Sequence, residues 1–440
     1  MKNSIKVGLG ETIITPKENL QMFGFARSQV ATGVHDDLHS RCLIVEDTDA
    51  NRIVLLSVSI CELLFRETAD RVREAVGEVA GVPKESIMLS NTHTHSGPDV
   101  ENAPKEYQDF FISQIAKSAE LAMENLAPGR IGVEKTVQLE VGKNRRRLLY
   151  GGLHPDPELY VIKVEDLSGK LRGILFNYGC HPATLDWRNT LYSEDWPYYA
   201  IKGIKEEVGN DIWVCYLQAA QGDINTGYDS LLSAIGADMP VRDYPYIEYK
   251  GKQMAETVIK ILSDIETEDS LTVESLDEYY DLPLRKEFPV TIEEAEKELE
   301  VAEKKLDKFE KKNEYKGSKT LDKLRTKVFS ANQTLKLAKD FYSGKLPESE
   351  STEIQIFRIG ETVFFSLPGE IFSEIALAVK KQSSFKNTLP VGLSNGYYAY
   401  MPTKEEFIDG DYEVDGSKFS PEAGETLVNA TVSVINKLKR

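Results

Sequence analysis

The sequence predicts an α/β fold of mixed β-sheets flanked by helices in layers, and three observations carry that prediction. Continuous apolar runs such as "RIVLLSVSI" (52–60) mark strands buried on both faces. Such runs alternate with stretches of helical spacing. A short turn, "DLSGK", joins two further runs as a hairpin, so parallel and antiparallel neighbours share the fold.

In chain order, "RETADRVREAVGEVAGV" (66–82) follows the first run and places Ala69, Val72, Ala75, Val76 and Val79 on one helix face. "SIMLS" (86–90) is the next strand, and a β-α-β order of this length is best met by parallel neighbours. A helix is expected over 105–126, with Pro128-Gly129 ending it. Strand-like runs follow at 131–142, 158–165, 171–180 and 211–220. Between 290 and 343 the texture changes. Ile292, Ala295, Leu299, Ala302, Leu306 and Phe309 are spaced three and four apart, and after "NEYKGS" so are Leu321, Leu324, Val328, Ala331, Leu335 and Ala338. That is an antiparallel helical hairpin with a Lys/Glu face turned to solvent, an inserted arm that could also serve as a dimer contact or a flap. Strands resume in "EIQIFRIG" and "TVFFSLPG", so the hairpin is expected to interrupt one domain spanning 1–440. The last stretch, "LVNATVSVINKLKR", reads as a helix.

With 440 residues, 41% apolar and 28% charged, the chain can bury a large core without disulfides or a structural metal. Its formal net charge of −18 argues against nucleic acid and anionic membrane surfaces as partners and leaves a small molecule as the expected one. No apolar run is long enough to span a bilayer, and the opening "MKNSIKVGLGETIITP" has no apolar segment of the signal-peptide kind. Cys42, Cys61, Cys180 and Cys215 lie singly in apolar runs, as buried reduced thiols do. A cytoplasmic location is the expectation.

Six histidines occur in all, and two sit together in "MLSNTHTHSGPD" (88–99). His93 and His95 fall where a strand ends, the place where open α/β sheets put ligand crevices. Residues two apart in a strand-like segment point the same way, so both imidazoles could face one metal or one substrate. A metallo-β-lactamase pattern would need an Asp two residues after the second His; here Asp99 comes four later. His181, in "LFNYGCHPATL", again ends an apolar run before Pro. Glu370, in "FFSLPGEIFSEIA", stands at a strand-to-helix turn, suited to capping a helix or to holding a cation. Tyr397, Tyr398 and Tyr400 crowd the turn "GLSNGYYAYMPTKEEF". Taken singly, these segments indicate a metal hydrolase and no more.

In combination they resemble the neutral ceramidase family, the zinc amidases of the neutral/alkaline non-lysosomal type. "VGLGETIITP" and "MFGFA…TGVHDDLHSRCLIVED" are similar to that family's opening, and "LSNTHTHSGP" to its most characteristic stretch. "GKNRR", "YGCHPATL" with "YSEDWPYYA", "LPGEIFSE" and "SNGYYAYMPTKEEF…DYEV" follow in the family's order. The resemblance covers about 1–240 and 350–420. It implies a ceramidase-like catalytic domain with a zinc (Zn2+) site of His93, His181, Glu370 and Tyr400. It also implies His95 as the catalytic histidine, and Arg145 and Tyr412 binding or polarising the substrate carbonyl. Zinc with three N/O ligands and an open fourth position acidifies bound water and polarises a carbonyl. A neighbouring imidazole can carry the proton to the leaving amine.

Two departures matter. The family's G-D-x-S-P-N segment here reads "AAQGDINTGY", with Asp223 kept and Asn225 in the serine's place, which speaks against a serine nucleophile there. The family's C-terminal immunoglobulin-like domain is not expected here. The expected function is hydrolysis of a small soluble N-acyl amine. An esterase or lactonase on the same metal site, or an inactive scaffold, are the alternatives. His35 and His39 are left between lining the site and packing.

Overall fold

In the computed structural model, which describes residues 4–438 apart from 26, 28, 64, 231–232, 234–241, 312–318 and 345–346, two sheets lie face to face with helices on both outer sides. The larger sheet contains β1 (Lys6–Ile13), β2 (His39–Glu46), β3 (Arg52–Val58), β4 (Ile87–Asn91), β5 (Ala127–Val137), β6 (Glu158–Asp166), β7 (Leu171–Tyr178) and β8 (Trp213–Gln218). Their spatial order is β8-β7-β6-β5-β1-β2-β3-β4. The smaller sheet has the order β9 (Val273–Pro283), β10 (Ser349–Ile359), β11 (Thr362–Leu367), β12 (Asn387–Gly392). Most neighbours are antiparallel. The parallel pairs within these two sheets are β3 with β4, β7 with β8 and β11 with β12.

The layering follows from which strand faces are apolar. Val7, Leu43, Leu55, Ile162, Leu175 and Leu217 of the larger sheet meet Phe357, Phe364, Leu389 and Val391 of the smaller one in a shared core. The opposite face of the larger sheet is covered in two halves. Cys42, Ile44, Val54 and Leu56 pack under α1 (Arg66–Ala80) and α2 (Lys105–Glu124). Val161, Phe176, Val214 and Tyr216 pack under α3 (Trp196–Val208) and α4 (Tyr244–Ile261). Strands buried on both faces are what continuous apolar runs encode.

Between β9 and β10 the chain leaves the sheet as α5 (Ile292–Glu310) and α6 (Lys319–Tyr342), the hairpin read from the sequence. Glu296 pairs with Lys339 at 3.0 Å and Glu310 with Arg325 at 3.1 Å, a crossing pattern that only antiparallel helices allow. Ala295, Ala302, Leu335 and Ala338 form its seam, and Thr291 with Glu294 makes a reciprocal capping box at its start. The turn "NEYKGS" lies outside the described residues. The outer face of the smaller sheet is closed by α7 (Ser373–Gln382) and α8 (Ala423–Lys437).

The β-α-β unit is observed as expected, with Val54 opposite Ile87 in parallel register. Two boundaries differ. Pro128-Gly129 lies inside β5, not at a helix end, because α2 has already stopped at Glu124 and the backbone turns directly into the strand. Residues 138–142 leave that strand, since the Gln138 side chain accepts from Glu140 N at 2.7 Å and the chain turns there.

Candidate active site

The three parallel pairs place three turns at one edge of the sandwich. His93 and His95 follow β4, His181 follows β7, and Glu370 follows β11, each beyond a strand's carboxyl end. The two paired histidines lie past the strand rather than in it. His93 takes φ = 72°, a left-handed conformation costly for a side chain with Cβ and typical of functional turns. The turn is held by backbone bonds from His93 N to Ile60 O (2.9 Å) and from His95 N to Pro182 O (3.2 Å), so the first two histidine segments support each other.

Glu370 is set by a two-residue parallel bridge that places it opposite Tyr400 and Ile371 opposite Met401. Below that bridge runs Gly222, where a Cβ would lie 2.4 Å from the Glu370 carbonyl oxygen, so only glycine fits.

From these turns the polar atoms converge. Glu370 Oε2 lies 2.8 Å from His181 Nε2 and 3.3 Å from His93 Nε2, and His95 Nε2 lies 3.3 Å from His93 Nε2. His93, His181 and Glu370 are all buried. The imidazoles are oriented from behind. Nδ1 of His93 faces the Cys61 carbonyl at 3.0 Å and Glu62 Oε2 at 3.3 Å, and Nδ1 of His181 faces the Ile224 carbonyl at 2.8 Å. With Nδ1–H spent on these acceptors, each Nε2 presents a lone pair to the centre, the arrangement metal-bound histidines use. Tetrahedral zinc with bonds of about 2.0–2.1 Å has ligand-to-ligand edges of about 3.3 Å. The donor set therefore fits a zinc-sized ion.

His95 differs. Its Nδ1 is buried without a hydrogen-bond partner among the described residues. Its ring meets Phe25 edge-on at 4.6 Å, and Gly24, at φ = 95°, lies so close that a Cβ would be 2.5 Å from that ring. Burial, then the neighbouring His93 and His181, push His95 well below its ordinary imidazole value. His181 is lowered to about 4, first by burial and next by the Arg145 guanidinium. Burial opposes charge on Glu370, yet His93 and His181 hold its carboxyl well below the usual range.

Arg145 reaches the same centre from the segment after β5. Its Nη1 lies 3.2 Å from His181 Nε2, and Nη2 donates to Tyr400 Oη at 3.1 Å and to the Gly222 carbonyl at 2.8 Å. Its Nε donates to Glu413 Oε1 at 2.7 Å, and Glu413 also takes Arg146 at 2.8 Å and Ser230 at 2.8 Å. Glu413 is fully buried. Glu413→Gln leaves the Arg145 guanidinium without its carboxylate partner in the interior, while Arg146 keeps Glu406, and is expected to destabilise the fold by ~2–4 kcal/mol. Thermal unfolding of the variant against the parent checks this; an unchanged Tm would contradict it.

Tyr400 lies beside Glu370 through the bridge, with its hydroxyl on Arg145. Tyr412 stands edge-on to Tyr400, ring centroids 5.8 Å apart, and is 37% exposed; its hydroxyl has no hydrogen-bond partner among the described residues. Burial of the phenol and then the Glu370 carboxylate push it up to about 12. Tyr397, unassigned from the sequence, donates to Glu370 Oε1 at 2.8 Å and so fixes the carboxylate from its other side. Its presence in a three-tyrosine turn was the signal, but the turn's geometry decides which tyrosine points inward.

Other sequence candidates are accounted for structurally. Asn225 accepts from Gly227 N (2.8 Å) and Tyr228 N (3.0 Å) and donates to the Tyr228 carbonyl (2.7 Å), shaping a turn. Asp223 accepts from the Ser373 amide and hydroxyl at the start of α7. His35 stacks on Tyr244 at 4.1 Å and His39 pairs with Glu194 at 3.2 Å, so neither joins the cluster. The four cysteines are free and buried. No helix among the described residues is long and apolar enough to cross a membrane.

Comparison with known proteins bears on the family and the fold. Residues 5–226 match the family described as neutral/alkaline non-lysosomal ceramidase, N-terminal. The chain is 27% identical over 217 residues to a neutral ceramidase of Oryza sativa subsp. japonica, covering 43% of this chain and 27% of that protein. It is 27% identical over 229 residues to the neutral ceramidase of Drosophila melanogaster, covering 46% and 32%. The match thus spans about a third or less of those relatives' length. The crystal structure of neutral ceramidase from Pseudomonas aeruginosa superposes with a TM-score of 0.76 at 20% identity, over 100% of this chain and 75% of that one. A second structure, a ceramidase complexed with C2, gives 0.77 at 20% identity, over 100% and 76%. These superpositions establish the fold, and with half of the sequence matched by the family profile, the chain belongs to the neutral/alkaline non-lysosomal ceramidase family.

Proposed function

We propose that this chain is a zinc-dependent amidohydrolase that cleaves N-acyl amines, small soluble ones in preference to ceramide. The observation that carries this reading is that His93 Nε2 and His181 Nε2 both lie within 3.3 Å of Glu370 Oε2, with both Nδ1 atoms tied to backbone carbonyls. His93, His181 and Glu370 are assigned as metal ligands, with Tyr400 completing the set. When bound there, zinc supplies a Lewis acid and a water of pKa about 7.

The chain's own residues supply the rest. His95, neutral and with Nε2 at the centre, accepts the proton from the attacking water and passes it to the leaving nitrogen. Arg145 Nη1, whose acceptor in this arrangement is a ligand nitrogen, is left free to donate to the carbonyl oxygen once that nitrogen is engaged. The Tyr412 hydroxyl, unpartnered and beside the centre, is placed to donate to the same oxygen. Asn225 is committed to its turn and takes no nucleophilic role.

The test uses the full chain with zinc, presented with short-chain N-acyl amines, their matched esters and lactones, and a short-chain ceramide. Amide cleavage that a chelator abolishes and zinc restores is the expected result. Faster turnover of the matched esters assigns the centre to an esterase. Absence of any cleavage by zinc-loaded protein overturns the hydrolase reading.

A further inference from the structure

Beside His95 the structure holds a second, unassigned feature. Two guanidiniums lie over the Phe25 ring, which is edge-on to His95: Arg27 at 5.1 Å and Arg242 at 5.5 Å from its centroid. Neither forms an ion pair with any described residue, although the chain has 71 Asp and Glu against 53 Lys and Arg. Asp186 acts on Arg27 and Asp195 on Arg242 only at longer range, so among the described residues neither guanidinium has a carboxylate in direct contact.

The two arginines are held differently. Arg242 is buried and spends its donors on the Thr184 carbonyl (2.9 Å), the Ala183 carbonyl (2.7 Å) and Ser233 Oγ (2.5 Å). It is fixed to the segment that follows His181 and stacks over Tyr228 at 3.9 Å. Arg27 spends only Nη1, on the Phe23 carbonyl at 3.2 Å. Its Nε and Nη2 are shielded from water and have no acceptor among the described residues. These two N–H groups form one edge of the guanidinium fork, the edge that takes both oxygens of a carboxylate. Arg27 acts electrostatically on His95, which places that charge next to the reacting centre.

We propose that Arg27, with the fixed charge of Arg242 behind it, binds a carboxylate on the substrate, so that the amides this enzyme cleaves are N-acyl amino acids or related N-acyl amines bearing a carboxylate. This rests on the hydrolase reading for the cleavage step but not for the binding. A neutral ceramide-like substrate leaves the Arg27 fork unpaired and loses the charge-assisted bonds. The Phe25 ring, which touches both guanidiniums and His95, offers the apolar surface on which the substrate chain lies on its way to His95.

Calorimetric binding to the full, zinc-loaded chain compares N-hexanoylglycine with its neutral twin, N-hexanoylglycine amide, for the parent and for Arg27→Gln. The parent is expected to bind the acid about tenfold or more tightly than the amide twin, and Arg27→Gln to bring the two within about twofold while leaving the twin's Kd unchanged. Equal affinities in the parent, no binding of the acid, or an equal loss for both ligands in the variant overturns the proposal. Preferential binding without cleavage supports the carboxylate site and removes the hydrolase reading. Equal cleavage and equal binding of acid and twin do the reverse.

Discussion

Glu370→Ala is expected to empty the metal centre. Protein purified without a histidine tag should carry about one zinc per chain in the parent, and His93→Ala, His181→Ala and Glu370→Ala should each lose it. The expectation follows from geometry rather than from residue type. Glu370 Oε2 is the atom that both ligand imidazoles approach, at 2.8 and 3.3 Å, and its removal leaves two nitrogens whose lone pairs face each other without an anion between them. Activity should fall by about 10³-fold or more in each, the scale set by losing the Lewis acid and its acidified water together. Tyr397→Phe removes only the hydrogen bond that steadies Glu370 Oε1. It should keep the metal but weaken its affinity about 10- to 100-fold, as loss of an orienting partner does. Elemental analysis after dialysis against graded chelator separates the two classes. Retention of stoichiometric zinc by Glu370→Ala would remove that residue from the ligand set.

Much of this was legible in the sequence, for identifiable reasons. Strands buried on both faces write themselves as continuous apolar runs, so "RIVLLSVSI" and "DIWVCYLQAA" gave their positions directly, and the heptad spacing of Ala295, Ala302, Leu335 and Ala338 gave the hairpin. For the candidate site, histidines and a glutamate at the ends of such runs pointed to a metal hydrolase and no further, and the ligand set came from the resemblance to the ceramidase family. What the sequence withheld is long-range or backbone-encoded. No local pattern says that β11 runs parallel to β12 and so brings Glu370 to the histidines, 189 residues from His181. No residue type signals φ = 72° at His93. Pro128-Gly129 read as a terminator, yet a strand edge accommodates both. Tyr397 was hidden because it acts through one contact across the fold, on Glu370, and its own segment does not say which tyrosine of three makes it.

His95→Gln isolates the proton from the metal. The four proposed ligands remain, so zinc content should match the parent, while kcat falls by about 10²–10⁴-fold, the range expected for losing a positioned general acid–base. Two structural facts make this the sharper test of the division between His93 and His95. Both place Nε2 at the centre, 3.3 Å apart, so distance alone does not assign them. They differ in what stands behind the ring: His93 has a carbonyl and Glu62 on Nδ1, whereas His95 Nδ1 faces no acceptor and its ring is fenced by Phe25 and Gly24. A ring held by packing alone can change its protonation without breaking a structural bond, which suits a proton carrier. A ring tied through Nδ1 is locked with its lone pair inward, which suits a ligand. If His95→Gln loses zinc as fully as His93→Ala, the two histidines share one task and the proton must be carried elsewhere, with Tyr412 one candidate beside the centre. If zinc is kept and kcat collapses, the tight turn of two histidines holds two functions, distinguished only by the atoms behind them.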